Sequence, residues 1–102
     1  MEIRTEGASV VLDGVLDVRC TAEVRGALYQ LLAGPEGNVV VDMTGVTAID
    51  MTALRLLAVA TRHAQMSGHH LTLRNPGPSV RRMIHLARLA HAIEVERVAA
   101  TA

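Results

Sequence analysis

The residues best placed to do chemistry are Asp50-Met51-Thr52-Ala53, which follow the apolar run Val39-Val40-Val41-Asp42-Met43. An apolar β-type run succeeded by a helical period sets the Thr52 hydroxyl where a strand hands over to a helix. The first N–H groups of a helix are unpaired and its dipole favours anions. A phosphate on Thr52 is therefore accommodated locally while changing the surface that another molecule meets. The same hydroxyl has a second reading, as a capping or first-turn group that satisfies backbone N–H groups and does nothing else. Asp50 carries two readings of its own: it caps the same helix, or it orients the hydroxyl toward a phosphoryl donor. Asp17 and Asp42 are expected at strand ends, where open mixed sheets place functional groups and where turns also need carboxylates.

Other constellations fail on spacing. A Thr52-His63-Asp50 triad places Thr52 and His63 eleven residues apart on one expected helix, on the order of 16 Å at about 1.5 Å rise per residue and too far for proton transfer. No glycine-flanked nucleophile or phosphate-cradling glycine loop occurs, so the chain is not expected to be an enzyme. His69 and His70 are adjacent and would point to opposite sheet faces, and His85 and His91 lack an i, i+4 relation; no metal or other cofactor is expected. The single cysteine, Cys20, has no partner for a disulfide or a structural zinc. Arg81, Arg82 and Arg88 form either a solvated helix face or a basic edge for an acidic partner.

The elements that must position these groups are marked by punctuation and period. Ser9 to Leu12 and Val15 to Val18 are short β-favouring runs around Asp13-Gly14, giving a bent strand or a hairpin. From Thr21 to Ala33, Val24, Ala27, Leu28 and Leu31 recur at helical spacing before Gly34-Pro35. Val39 to Met43 reads as an inner strand covered on both faces. A helix from Thr52 to Met66 with a wide apolar stripe follows and ends at Ser67-Gly68. Leu71-Thr72-Leu73 alternates like a strand, and Asn75-Pro76-Gly77-Pro78 breaks the chain before a helix through Val80, Met83, Ile84 and Ala87. Ile93 to Val95 adds an edge strand, and Ala99 to Ala102 is expected to fray. Strands joined through helices are parallel by right-handed crossovers, so the fold class is α/β: a mixed sheet of four to five strands packed with three to four helices.

Composition sets the outer limits. The 102 residues are half hydrophobic, enough for one core and one domain spanning 1–102. Zero formal charge and a lone aromatic, Tyr29, provide neither a basic footprint nor stacking platforms for nucleic acid. Met1 to Glu6 is charged where a secretory apolar region would lie, and no apolar run approaches a membrane span, so a cytoplasmic protein with no membrane partner is expected.

Three segments in this order resemble the STAS domain family of the anti-sigma factor antagonist type. Gly14-Val15-Leu16-Asp17 with Thr21-Ala22-Glu23 is similar to the family's strand end leading into its first helix. Val39-Val40-Val41-Asp42 with Ile49-Asp50-Met51-Thr52-Ala53-Leu54 is similar to its central strand and phosphorylation loop. Asn75-Pro76-Gly77-Pro78-Ser79-Val80-Arg81-Arg82 is similar to the opening of its third helix. The resemblance implies that an anti-sigma factor with protein kinase activity phosphorylates Thr52, that a serine/threonine phosphatase reverses it, and that the unmodified form binds the anti-sigma factor. Asp17, Asp42, Asp50, Met51, Thr52, Ala53 and Arg55 are the partner-binding residues so implied. Two positions depart from the family pattern: Met51 stands where serine is frequent, leaving Thr52 as the only hydroxyl of the loop, and Ala53 replaces a glycine. Two rival readings stand beside this one: an unphosphorylated STAS adaptor in a stress-sensing or lipid-transport complex, and a module binding nucleotide near Gly14 and Thr52.

Overall fold

The computed structural model describes residues 1–96, and the fraying expected at Ala99 to Ala102 lies outside them. Along the chain run β1 (Glu2–Glu6), β2 (Ser9–Leu16), α1 (Thr21–Leu32), β3 (Val39–Ile49), α2 (Met51–Met66), β4 (Leu71–Arg74), α3 (Pro78–Leu86) and β5 (Glu94–Val95). The five strands form one sheet in the order β1-β2-β3-β4-β5. β1 is antiparallel to β2, and every other neighbouring pair is parallel.

That sequential order decides where the helices go. Each right-handed crossover from β2 onward steps in the same direction, so α1, α2 and α3 all fall on one face of the sheet. The burial pattern agrees: Val39, Val41 and Met43 are buried, while Val40 and Asp42 between them are only half-buried. The expectation of a strand covered on both faces is therefore corrected, and β3 also continues six residues past Met43 to Ile49. On the covered face Val10, Leu12 and Leu16 of β2 and Leu71 and Leu73 of β4 flank the β3 side chains. They meet Val24 and Leu28 of α1, Leu54 and Leu57 of α2, and Val80 and Ile84 of α3. At roughly 25 cal/mol per Å² of apolar area, such burial is the main stabilising contribution to the fold.

Of the two readings for Ser9 to Val18, a bent strand or a hairpin, the structure has the bent strand, which ends at Leu16 and shows register shifts against β3 between Val11 and Asp13 and between Gly14 and Val15. The charged N-terminus forms β1, joined to β2 through Gly7-Ala8, with Gly7 at φ 58 as a two-residue hairpin loop requires. Only Ile3 of β1 is half-buried and the other four residues are exposed, so this edge strand carries almost no apolar alternation. His69 and His70 precede β4 and do not lie in it.

The loop before β3 depends on Gly37, at φ 72, where an added Cβ would stand 2.5 Å from ring atoms of His69. Gly37→Ala is expected to lower stability by at least about 1 kcal/mol through the left-handed backbone, and the His69 ring must shift as well. Urea denaturation of the two proteins measures this difference.

Candidate functional site

β2 and β3 finish level with one another, Leu16 opposite Ile49, and the Asp50 N–H donates to the Leu16 carbonyl at 3.1 Å. The β2–α1 loop, residues 17–20, therefore lies beside the junction of β3 with α2. Asp50 joins the two. Its backbone is extended, at φ −98 and ψ 173, as an N-cap must be. Its Oδ1 accepts from the Ala53 N–H at 2.8 Å and its Oδ2 from the Val18 N–H at 3.0 Å. Both carboxylate oxygens are thus engaged with backbone, one within the helix and one across to the neighbouring loop.

The consequence falls on Thr52. With Asp50 serving as the cap, the hydroxyl of Thr52, second residue of α2, is not needed for capping. It is exposed, and among the described residues no hydrogen bond engages it. Met51 beside it is 37% exposed, an apolar side chain presented to solvent at the head of the helix. Arg55, one turn further on, is exposed, whereas Ala53 is buried in the core and offers only its N–H to Asp50.

Asp17 begins the facing loop. It accepts from the Arg19 N–H at 3.0 Å and from the guanidinium, the shortest contact being Nη2 at 2.8 Å. The guanidinium hydrogen bonds and then the Arg19 N–H hold its carboxyl below the ordinary range. Cys20 is buried, and its Sγ donates to the Asp17 carbonyl at 3.2 Å. The thiol is thus part of the loop's own framework.

Asp42 is not part of this cluster. It lies inside β3, not at a strand end, and at roughly 3.3 Å per residue the strand carries it about 26 Å from Asp50. Its Oδ1 accepts from the Thr44 hydroxyl and the Thr44 N–H. These bonds, with Arg74 and Arg4 further off, hold its carboxyl below its ordinary 3.8. A depressed carboxyl stabilises the folded chain fully above the unfolded value and ceases to as pH falls through the folded one. The stability difference between the protein and Asp42→Asn is therefore expected to be constant from pH 7 to about 4 and to shrink below it, as read by urea denaturation across that range.

A groove of roughly 420 Å³ runs from the same edge between α1 and α2. It is walled by Thr21, Arg25 and Tyr29 on one side and by Thr52, Arg55 and Val59 on the other. Val59 is 59% exposed on an otherwise well-packed helix. The Arg25 guanidinium lies 5.5 Å from the centroid of the Tyr29 ring, and His63 meets that ring edge-on at 4.9 Å between centroids. The α1 wall was not singled out from the sequence, because the apolar stripe of α1 draws attention to its buried side. The signal was present as Thr21, Arg25 and Tyr29 at four-residue spacing.

Among the described residues no group of three His, Cys, Asp or Glu side chains is placed to hold a metal ion, and no helix is long and apolar enough to cross a membrane. The site is a surface: an exposed hydroxyl, an exposed methionine and an arginine-lined groove, on a helix start rigidly joined to the next loop.

The family model described as Mlab, STAS domain matches residues 1–96. Among solved structures, the chain is similar to TM1081 of Thermotoga maritima, described as a putative anti-sigma factor antagonist. The identity is 16%, covering 95% of this chain and 86% of that one, with a TM-score of 0.77. It is also similar to the anti-sigma factor antagonist SpoIIAA in its unphosphorylated form, at 13% identity over 96% of this chain and 88% of that one, with a TM-score of 0.68. The phosphorylated form of SpoIIAA from Bacillus matches at 17% identity over 94% and 90%, with a TM-score of 0.65. The search of curated proteins returned no match.

Proposed function

We propose that this chain, which belongs to the STAS domain family, is a cytoplasmic anti-sigma factor antagonist that binds its anti-sigma factor when Thr52 is free and lets go when Thr52 is phosphorylated. The observation that carries the reading is the exposed Thr52 hydroxyl, left unused because Asp50 caps the helix. The described fold of the similar anti-sigma factor antagonists supports the choice of partner class.

In this reading the chain is a substrate and not a catalyst. The γ-phosphoryl of ATP passes to Thr52 Oγ1 as the bond to the ADP oxygen breaks. ADP leaves, and the hydroxyl proton goes to a base of the kinase. A serine/threonine phosphatase returns the hydroxyl by hydrolysis. The docking face comprises Met51, Thr52 and Arg55 together with the Asp17 loop that Asp50 holds beside them. A new charge of about −1.5 to −2 at its centre penalises association by desolvation, while the fold beneath is untouched.

Calorimetry of the unmodified protein against each anti-sigma factor kinase of the source organism tests the partner class. One saturable interaction supports the proposal, and absence of heat with all of them contradicts it. Stable co-purification with an ATPase or scaffold, with Thr52 unmodified, points instead to the adaptor reading.

A further inference from the structure

We propose that the groove between α1 and α2 is the receptor for the phosphate on Thr52, with Arg55 and Arg25 as its cationic walls. The inference rests on Thr52 being the phosphoacceptor, and adds where the phosphate goes. α1 and α2 start at the same edge of the sheet, because they follow parallel strands that end level with one another. They run side by side, and Thr52, Arg55 and Arg25 line one groove. Arg55 is three residues beyond Thr52, on the same helical face.

Among the described residues neither arginine has a carboxylate partner. Among the described residues the arginine ion pairs engage Arg4, Arg19 and Arg74. Arg25 lies over the Tyr29 ring, and among the described residues no hydrogen bond engages either Arg25 or Arg55. Among the described residues no Asp or Glu lines the groove. Two unpaired guanidinium groups walling a groove that begins at a hydroxyl suit a phosphate, whose oxygens accept parallel N–H bonds from each.

The surrounding charges are arranged to permit this. Asp50 opposes a nearby phosphate, but both its oxygens are turned to the Ala53 and Val18 N–H groups. In the facing loop Asp17 and Arg19 neutralise each other. Glu23 of α1 lies in a separate hollow with that pair, and His63 of α2 sits further along against Tyr29. A phosphate drawn into the groove occupies Arg25 and Arg55 in cis, so the modified protein both gains charge and withdraws the two cations of this groove from any acidic group of a partner.

The test is a ³¹P NMR titration of the full chain with phosphothreonine installed at position 52 during translation. Because no kinase is used, failure of a kinase to modify Thr52 is a separate result. The second ionisation of the phosphate is expected near about 5.5, against about 6 for phosphothreonine in a disordered peptide. Arg55→Gln and Arg25→Gln should each move it back toward about 6, and Arg55→Lys should move it less. Arg82→Gln, on the exposed side of α3, should leave it unchanged. A phosphate titrating at about 6 or above in the parent chain, or a low value that neither Arg25→Gln nor Arg55→Gln moves, overturns the proposal.

Discussion

Phosphorylation of Thr52 is expected to weaken binding to the anti-sigma factor by roughly a hundredfold, equivalent to about 2.7 kcal/mol. The magnitude follows from placing a near-dianion in an interface formed for a neutral hydroxyl while Arg25 and Arg55 are withdrawn from the partner: losing one partner of a buried hydrogen-bonded charge pair costs about 2–5 kcal/mol. Thr52→Glu should reproduce part of the loss, since a carboxylate carries less charge than phosphate. Thr52→Ala should bind within about threefold of the parent, because the hydroxyl makes no hydrogen bond among the described residues. The fold should not respond. Thr52 is exposed and does not cap its helix, so Thr52→Ala is expected to lie within about 0.5 kcal/mol of the parent in stability. Calorimetric titration of the unmodified, phosphorylated and substituted proteins against the same anti-sigma factor measures the series. Equal affinities across it would remove the switch.

Asp50→Ala should have the largest effect on stability, a loss of about 2 kcal/mol. A helix cap alone contributes about 1 kcal/mol, and a charged acceptor serving a second N–H adds a similar amount. The bond to the Val18 N–H is the more informative of the two. It joins residues 32 apart in sequence and fixes the Asp17 loop against the head of α2. Losing it should loosen the docking face while leaving the sheet intact. Amide hydrogen exchange should accelerate at Val18 and Ala53 together in Asp50→Ala. Asp50→Asn should keep one acceptor and protect one of them. Unchanged exchange at Val18 in Asp50→Ala would show that the loop holds its place without the carboxylate.

What could be read in the chain beforehand depended on how strongly each element marks itself. α1, α2 and α3 are written in 3.6-residue periods with Gly, Ser and Pro at their ends, and they were legible to within a residue or two. β3 was legible at Val39 to Met43 but not as far as Ile49. The residues 44–48 include Thr44, Gly45 and Thr47, and they are held by pairing with β2, which no local pattern announces. β1 was invisible because an edge strand with a single side chain packed against the core has no alternation to display. The one-sided sheet was misjudged for a related reason: Val40 is apolar, and an apolar side chain on an open face looks in sequence like one on a covered face.

The site divided in the same way. The places of Asp50 and Thr52 at the start of α2 were legible because helix-start chemistry is local. That Asp50 serves as the cap and so frees Thr52 needed coordinates, as did the distance separating Asp42 from both. Arg25 and Tyr29 stayed hidden because a groove is a property of two helices, and only the fold brings the outer edge of α1 against Thr52 and Arg55.

The central claim is that a kinase uses the Thr52 hydroxyl, and intact-mass analysis with peptide mapping tests it most directly. The protein and Thr52→Ala are each incubated with ATP and the anti-sigma factor kinase that binds the unmodified chain. The account predicts a gain of a single phosphate on the protein, mapped to the peptide containing Asp50-Met51-Thr52-Ala53, and none on Thr52→Ala. An unmodified protein under conditions where that kinase phosphorylates a control substrate, or a phosphate that persists in Thr52→Ala, would contradict it.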